Sequence, residues 1–150
     1  MPGIQKNVTG DGVPFGHNQF LHSTTYTPPD SRTIAKDSHP VEPGLDGNIK
    51  RLHPGEALAK ITSGPDSGKH GVFQLGVTDG RQDIANLIGL NGDFWPHQLM
   101  DRDVETANYY ECVAKQAWCT IRDATGARIA LTNTVADALR GGKAVDILFK

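Results

Sequence analysis

A mainly β domain with one short helix, preceded by an extended N-terminal arm, is the fold class the sequence predicts. Three observations carry it. After Leu52 the apolar residues come in short runs at strand spacing, each bounded by Gly, Pro, Asn or Asp. The 150 residues include 17 Gly and 9 Pro, a load of turn formers that suits many short strands. Only Thr134-Val135-Ala136-Asp137-Ala138-Leu139-Arg140 has helical texture, and Gly141-Gly142 supplies its stop.

The arm is read over residues 1–50. Its large apolar residues stand singly among Gly, Pro and polar neighbours, so it cannot repay its own ordering entropy. Within it, Ser31 to Lys36 is the best extended segment, because Pro28-Pro29-Asp30 blocks helix just before it. The domain is read over 51–150. Leu52-His53-Pro54-Gly55 is a turn feeding a strand from Ala57 to Thr62, and Ser63 to Gly68 is a loop. Val72 to Leu75 is a second strand, and Val77 leads to the Asp79-Gly80 turn. Ile84 to Leu90 reads as a buried strand closed by Asn91-Gly92. Tyr109 to Arg122 is predicted as a hairpin turning at Lys115-Gln116, with Cys112 facing Cys119, Tyr110 facing Ile121 and Val113 facing Trp118. Arg128 to Leu131 and Ala144 to Phe149 complete the strands, the last apolar on both faces.

Composition limits the function classes. Lys and Arg total 15 against 17 Asp and Glu, a formal net charge of −2, and the basic residues are scattered, so no nucleic-acid partner is expected. No apolar run approaches the roughly 18 residues that span a bilayer, and the first residues lack a secretory apolar core. A soluble protein made in the cytosol, with no membrane partner, is expected. One domain of this length buries a core without a metal or disulfide staple.

No motif announces chemistry. Gly64-Pro65-Asp66-Ser67-Gly68-Lys69-His70 approaches a phosphate-binding loop, but three residues separate its glycines and His70 stands where a hydroxyl should reach magnesium. The histidines do not pair at the i, i+4 spacing that puts two imidazoles on one metal. Asp101-Arg102-Asp103 lacks the Gly and closing Glu of a calcium loop. Ser63 and Ser67, the serines after residue 50, share one loop and form no nucleophile elbow. A carboxylate pair that meets only in space is not visible in sequence. No catalytic, cofactor or metal residue is assigned, and a non-enzyme is expected. Cys112 and Cys119 are either a cross-strand disulfide or two buried reduced thiols filling the core. Phe94 and Trp95, beside Pro96, are either a subunit contact or a cap on the core.

Leu52-x-Pro54-Gly55-x-x-Leu58-Ala59-x-Ile61-Thr62, then Thr78-Asp79-Gly80-Arg81-Gln82 and an apolar run to Gly89-Leu90, resembles the lambda-type head decoration proteins of tailed bacteriophages. The 109–122 segment and the ending Val145 to Lys150 are also similar, so the likeness covers residues 51–150. It implies a β-clip or tulip-like domain assembled as a homotrimer. Such trimers sit on the outer surface of the expanded virion capsid, at three-fold and quasi-three-fold sites, and hold neighbouring major capsid proteins together. It also implies an arm that orders on the shell, partly as a strand added to capsid protein. A sheet edge takes such a segment through main-chain hydrogen bonds, and Arg32, Thr33, Ile34 and Ala35 are the expected strand. The chain departs from the lambda protein in a longer arm and a longer middle loop, 92–108. Two other classes stay open: a receptor- or glycan-binding surface module, which would present Trp95 or Tyr109 in a concave site, and a small enzyme or ligand-binding protein with an enclosed polar pocket.

Overall fold

The computed structural model describes residues 20–23, 26–142 and 144–150. The alternating segments become strands β1 (Asp30–Ile34), β2 (Ala57–Lys60), β3 (His70–Val72), β4 (Leu87–Asn91) and β5 (Val104–Tyr109). These five close a barrel in the order β1-β3-β2-β4-β5. The β1–β3 contact is parallel and the other pairings are antiparallel. Beyond the barrel follow β6 (Glu111–Ala114), β7 (Thr120–Arg122), β8 (Arg128–Ala130), helix α1 (Asn133–Leu139) and β9 (Asp146–Phe149). A parallel β6–β9 pair and an antiparallel β7–β8 pair flank the barrel. The mainly β class with one short α-helix is what the structure shows among the described residues.

Period-2 alternation explains how the barrel is filled. Ile34, Leu58, Val72 and Val104, one from each of β1, β2, β3 and β5, meet Leu52 and Leu99 in an inner cluster. The opposite phase of β2 and β5, Ala57, Ala59 and Tyr109, joins Leu87 and Leu90 of β4 and Cys112, Ala114, Ile121, Val135, Leu139, Ile147 and Phe149 in an outer cluster. Strand β2 is therefore buried on both faces, with leucine inward and alanine outward. Helix α1 begins where the Thr132 hydroxyl accepts from the Val135 amide, and it buries Val135, Ala136 and Leu139 at helical spacing. Gly141, at φ 72°, ends it as expected.

Four expectations are corrected. The boundary at 50/51 does not separate two bodies: Asp30 to Ile34 pairs residue for residue with β5, and Ile34 and Ala35 are fully buried. The end of the supposed middle loop, residues 104–108, is that same β5, whose β1 partners lie 70 to 78 residues away, beyond the reach of local pattern. The 109–122 hairpin does not form. Residues 116–118 are a 3-10 turn, β6 pairs with β9, and β7 pairs with β8. Lys115-Gln116 lacks the positive-φ residues that a two-residue hairpin turn needs. Cys112 and Cys119 are accordingly free, buried thiols. Finally, the run from Ile84 opens as a 3-10 turn, with the Asp83 carboxylate accepting from the Ala85 amide, and extends only from Leu87.

Two glycines are required by geometry. Gly80, at φ +108°, lets the 79–80 turn lie against Thr62, where an added Cβ would come within 2.3 Å of the hydroxyl. Gly89, at φ +147°, sits on β4, next to the register shift between Leu58 and Ala59 in the β2–β4 pairing. Its missing Cβ would lie 2.4 Å from the Tyr109 carbonyl and 2.5 Å from Asn108 Oδ1. Gly89→Ala is expected to cost roughly 2–4 kcal/mol, from backbone strain plus overpacking. Urea unfolding reads this directly, and a loss under about 0.5 kcal/mol would show that β4 and β5 can separate freely there.

Candidate functional site

The densest polar chemistry gathers where the Leu52-His53-Pro54-Gly55-Glu56 turn meets β7. Glu56 precedes β2 and Arg122 ends β7, and both are fully buried. The guanidinium grips the carboxylate from two nitrogens, Nε to Oε1 at 2.5 Å and an Nη to Oε2 at 3.0 Å. Its remaining donors reach the Gly126 carbonyl (2.9 Å) and the Arg51 carbonyl (2.6 Å). Glu56 Oε2 also accepts from the His53 amide at 2.8 Å. Glu42 stands 3.6 Å from Arg122 and accepts from His53 Nε2 at 2.7 Å. His39 Nε2–H donates to the Arg51 carbonyl at 2.8 Å, while its Nδ1 has no partner.

The charge states follow from these contacts. Burial works against an ionised Glu56, but the Arg122 charge and hydrogen bonds, with the nearby imidazoles, outweigh it and hold the carboxyl below its ordinary range. Burial lowers His53, against the pull of Glu56 and Glu42. Burial lowers His39 furthest, to about 4. The cluster is thus an ion pair and two neutral imidazoles, with His39 on the Arg51 carbonyl and His53 on the Glu42 carboxylate. It braces four chain segments with its side chains turned to one another and to the main chain, an arrangement that gives rigidity. Composition and motif reading missed it; the only local signal was a charged residue in strand phase beside apolar neighbours, Glu56 before Ala57 and Arg122 after Ile121.

A second buried cation belongs to the Thr78-Asp79-Gly80-Arg81 turn. Arg81 Nε donates to both Asp79 oxygens, at 2.9 and 3.1 Å, and an Nη donates to Gln74 Oε1 at 3.3 Å. Gly71 makes room for it, since a Cβ there would lie 2.7 Å from Arg81 Cδ. The near-phosphate loop at 64–70 is a turn running into β3, and no helix follows it.

The sequence-predicted residues are not brought together. Arg32, Thr33 and Ile34 are in β1, and the Ala35 amide bonds to the His70 carbonyl, so an added strand on another protein would have to leave the barrel. Thr33 Oγ1 and Ser31 Oγ bond to Glu105 across the β1–β5 ladder. Trp95 pairs through its main chain with Leu52, packs against the inner cluster and donates Nε1–H to Thr106 at 3.1 Å. Phe94 is half-buried between His53 and the Arg51 guanidinium. Trp95 thus caps the inner cluster, while Phe94 packs on polar neighbours outside both clusters. Burial pushes the thiols up, Cys112 to about 11 and Cys119 to about 12, so both stay protonated at neutral pH.

A surface groove of about 420 Å³ lies over the outer face of β6 and β9, lined by Tyr26, Thr27, Glu111, Val113, Asp146 and Leu148 among others. Residues before β1 bond to the other edge of β6, with the Thr27 amide donating to the Glu111 carbonyl and the His22 amide to the Val113 carbonyl. Among the described residues no cluster of three or more His, Cys, Asp or Glu could hold a metal ion, and no helix is long and apolar enough to cross a membrane. Compared with known proteins, the chain matches no family model, no curated protein and no solved structure.

Two outcomes test the buried cluster. Glu56→Gln leaves Arg122 buried beside a neutral amide and should cost about 3–5 kcal/mol, whereas Glu56→Leu combined with Arg122→Met should recover most of that loss. A double variant as unstable as the single one would mean the charges matter for more than their mutual compensation. His39 makes a large contribution to the pH response. Above its unfolded pKa, 6.5, both states are neutral; as pH falls toward 4 only the unfolded chain takes up the proton. Stability should therefore drop by about 3 kcal/mol from His39 between pH 7 and pH 4. His39→Gln should flatten that slope in pH-dependent urea unfolding; an unchanged slope would assign the loss to other groups.

Proposed function

We propose that this chain is a structural head decoration protein of a tailed phage. In this reading it binds the outer surface of the expanded capsid as a homotrimer, at three-fold and quasi-three-fold sites, and stabilises the shell against internal pressure. The observation that carries the reading is where the residues of the family likeness lie in the fold. Leu52, Leu58, Ala59 and Ile61 are fully buried, Gly80 occupies a left-handed turn, and Arg81 is buried on Asp79. The likeness therefore rests on positions that build the barrel rather than on surface coincidence. The second support is the use made of the titratable groups. Glu42, His53, Glu56 and Arg122 brace the fold, which suits a protein whose work is mechanical, and Trp95 and Tyr109 are taken up in packing rather than offered to a sugar.

The reading relocates the capsid contact. Since β1 completes the barrel, an arm that adds to capsid protein has to come from the residues before Phe20. Mass-resolved light scattering should give a base unit of three 16.2 kDa chains. Cosedimentation should show binding to expanded heads of the phage that encodes the protein, and none to precursor shells. Removal of residues 1–19 should leave the folded trimer intact and weaken binding at least about tenfold. A monomer that ignores expanded shells would overturn the reading.

A further inference from the structure

The outer face of the β6–β9 pair carries an ordered strip of side chains that packing among the described residues does not explain. The parallel register sets Glu111 opposite Asp146 and Val113 opposite Leu148. The ladder runs one step further, through the Lys150 amide to the Ala114 carbonyl and the Gln116 amide to the Lys150 carbonyl, which brings Lys115 opposite Lys150. Period-2 alternation puts all six on one face: Cys112, Ala114, Ile147 and Phe149 are buried between them. The strip thus reads acid–acid, apolar–apolar, base–base along its length. Leu148 is 47% exposed, Tyr26 flanks it at 38%, and Lys115 lies over the exposed Trp118 ring.

Like charges directly across a strand pair repel, so both ends of this strip are unfavourable in an isolated chain. The neighbours relieve this only in part: Glu111 accepts from the Thr27 hydroxyl, and Asp146 accepts from the Gly141 amide at 2.9 Å. A second copy turned end for end relieves it fully. The Glu111–Asp146 end of one chain then faces the Lys115–Lys150 end of the other, and Val113 and Leu148 meet their own counterparts in the middle. That arrangement is isologous, a two-fold contact made by one self-complementary patch. We propose that the β6–β9 face is a two-fold self-association surface, occupied by the same face of a second copy. It is separate from any three-fold contact, in which different patches of neighbouring chains would meet, and with its two-fold axes crossing the three-fold it would join such trimers in closed pairs. Six side chains are few for an interface, so the association is weak and concentration-dependent.

The test uses the full chain and charge exchange. In light scattering over a concentration series, the mass of the base unit should double, whether that unit is one chain or three. Added salt should reduce the doubling, because the end contacts are exposed ion pairs. Leu148→Asp should weaken the doubling at least about tenfold while leaving the base unit and the circular dichroism unchanged. The decisive arm is a pair of variants: Glu111→Lys with Asp146→Lys makes an all-basic strip, and Lys115→Glu with Lys150→Glu an all-acidic one. Neither should double alone, and an equimolar mixture should. No doubling of the wild type, or no recovery in the mixture, overturns the proposal; the latter result would give the face to another occupant, such as residues 1–19 or capsid protein. A base unit other than three chains would count against the trimer alone and leave the two-fold contact standing.

Discussion

The fully buried Arg122 guanidinium, clamped to Glu56 and to the carbonyls of Arg51 and Gly126, is the constraint on which the rest of the structure depends. It joins parts of the chain that share no continuous sheet: the turn before β2, the 36–51 segment, the end of β7 and the loop after it. A buried cation tolerates only a complete set of partners, since each unmet donor in a dry interior costs the desolvation of that group. The position of each of these segments is therefore tied to the others more tightly than apolar packing alone would require. Around the pair, His39 and His53 remain neutral because burial penalises their charged forms more than the nearby carboxylates favour them.

The barrel and the flanking layer are two cores sharing one set of strands. Leucine inward and alanine outward on β2 set how near α1, β6 and β9 can approach the barrel. Asn91 closes the same joint by hydrogen bonds: its Nδ2 donates to the His53 carbonyl at 2.8 Å, and its Oδ1 accepts from the Thr106 hydroxyl. Polar and apolar devices thus converge on the turn at 52–56, and the outer β6–β9 face is left as the place where side chains are arranged for something other than this chain's own stability.

Much of this was legible in the sequence. Short alternating runs located β2, β4, β8 and β9 to within a few residues, and the 134–140 helix appeared with its glycine stop. Leu52, Leu58 and Ile61 were recognisable as scaffold, and the phosphate-loop likeness was correctly set aside, because these features depend on neighbours within a turn or two. The failures share a different cause. β1 looked like part of a loose arm because its partners in β5 lie 70 to 78 residues away, and the false hairpin at 109–122 followed from assuming that adjacent β-prone runs pair with each other.

By itself, then, the sequence determined the class, most of the turns and the glycine stop of the helix, all of which follow from backbone preferences and period-2 alternation acting locally. Only the tertiary structure decided the strand partners, the closure of the barrel by β1, the fate of the two thiols and the gathering of Glu42, His53, Glu56 and Arg122. It also decided that Glu111, Asp146, Lys115 and Lys150 share one strip, because register between β6 and β9 is a long-range choice. That choice is fixed by which residues must leave water together, and no window of sequence contains both halves of it.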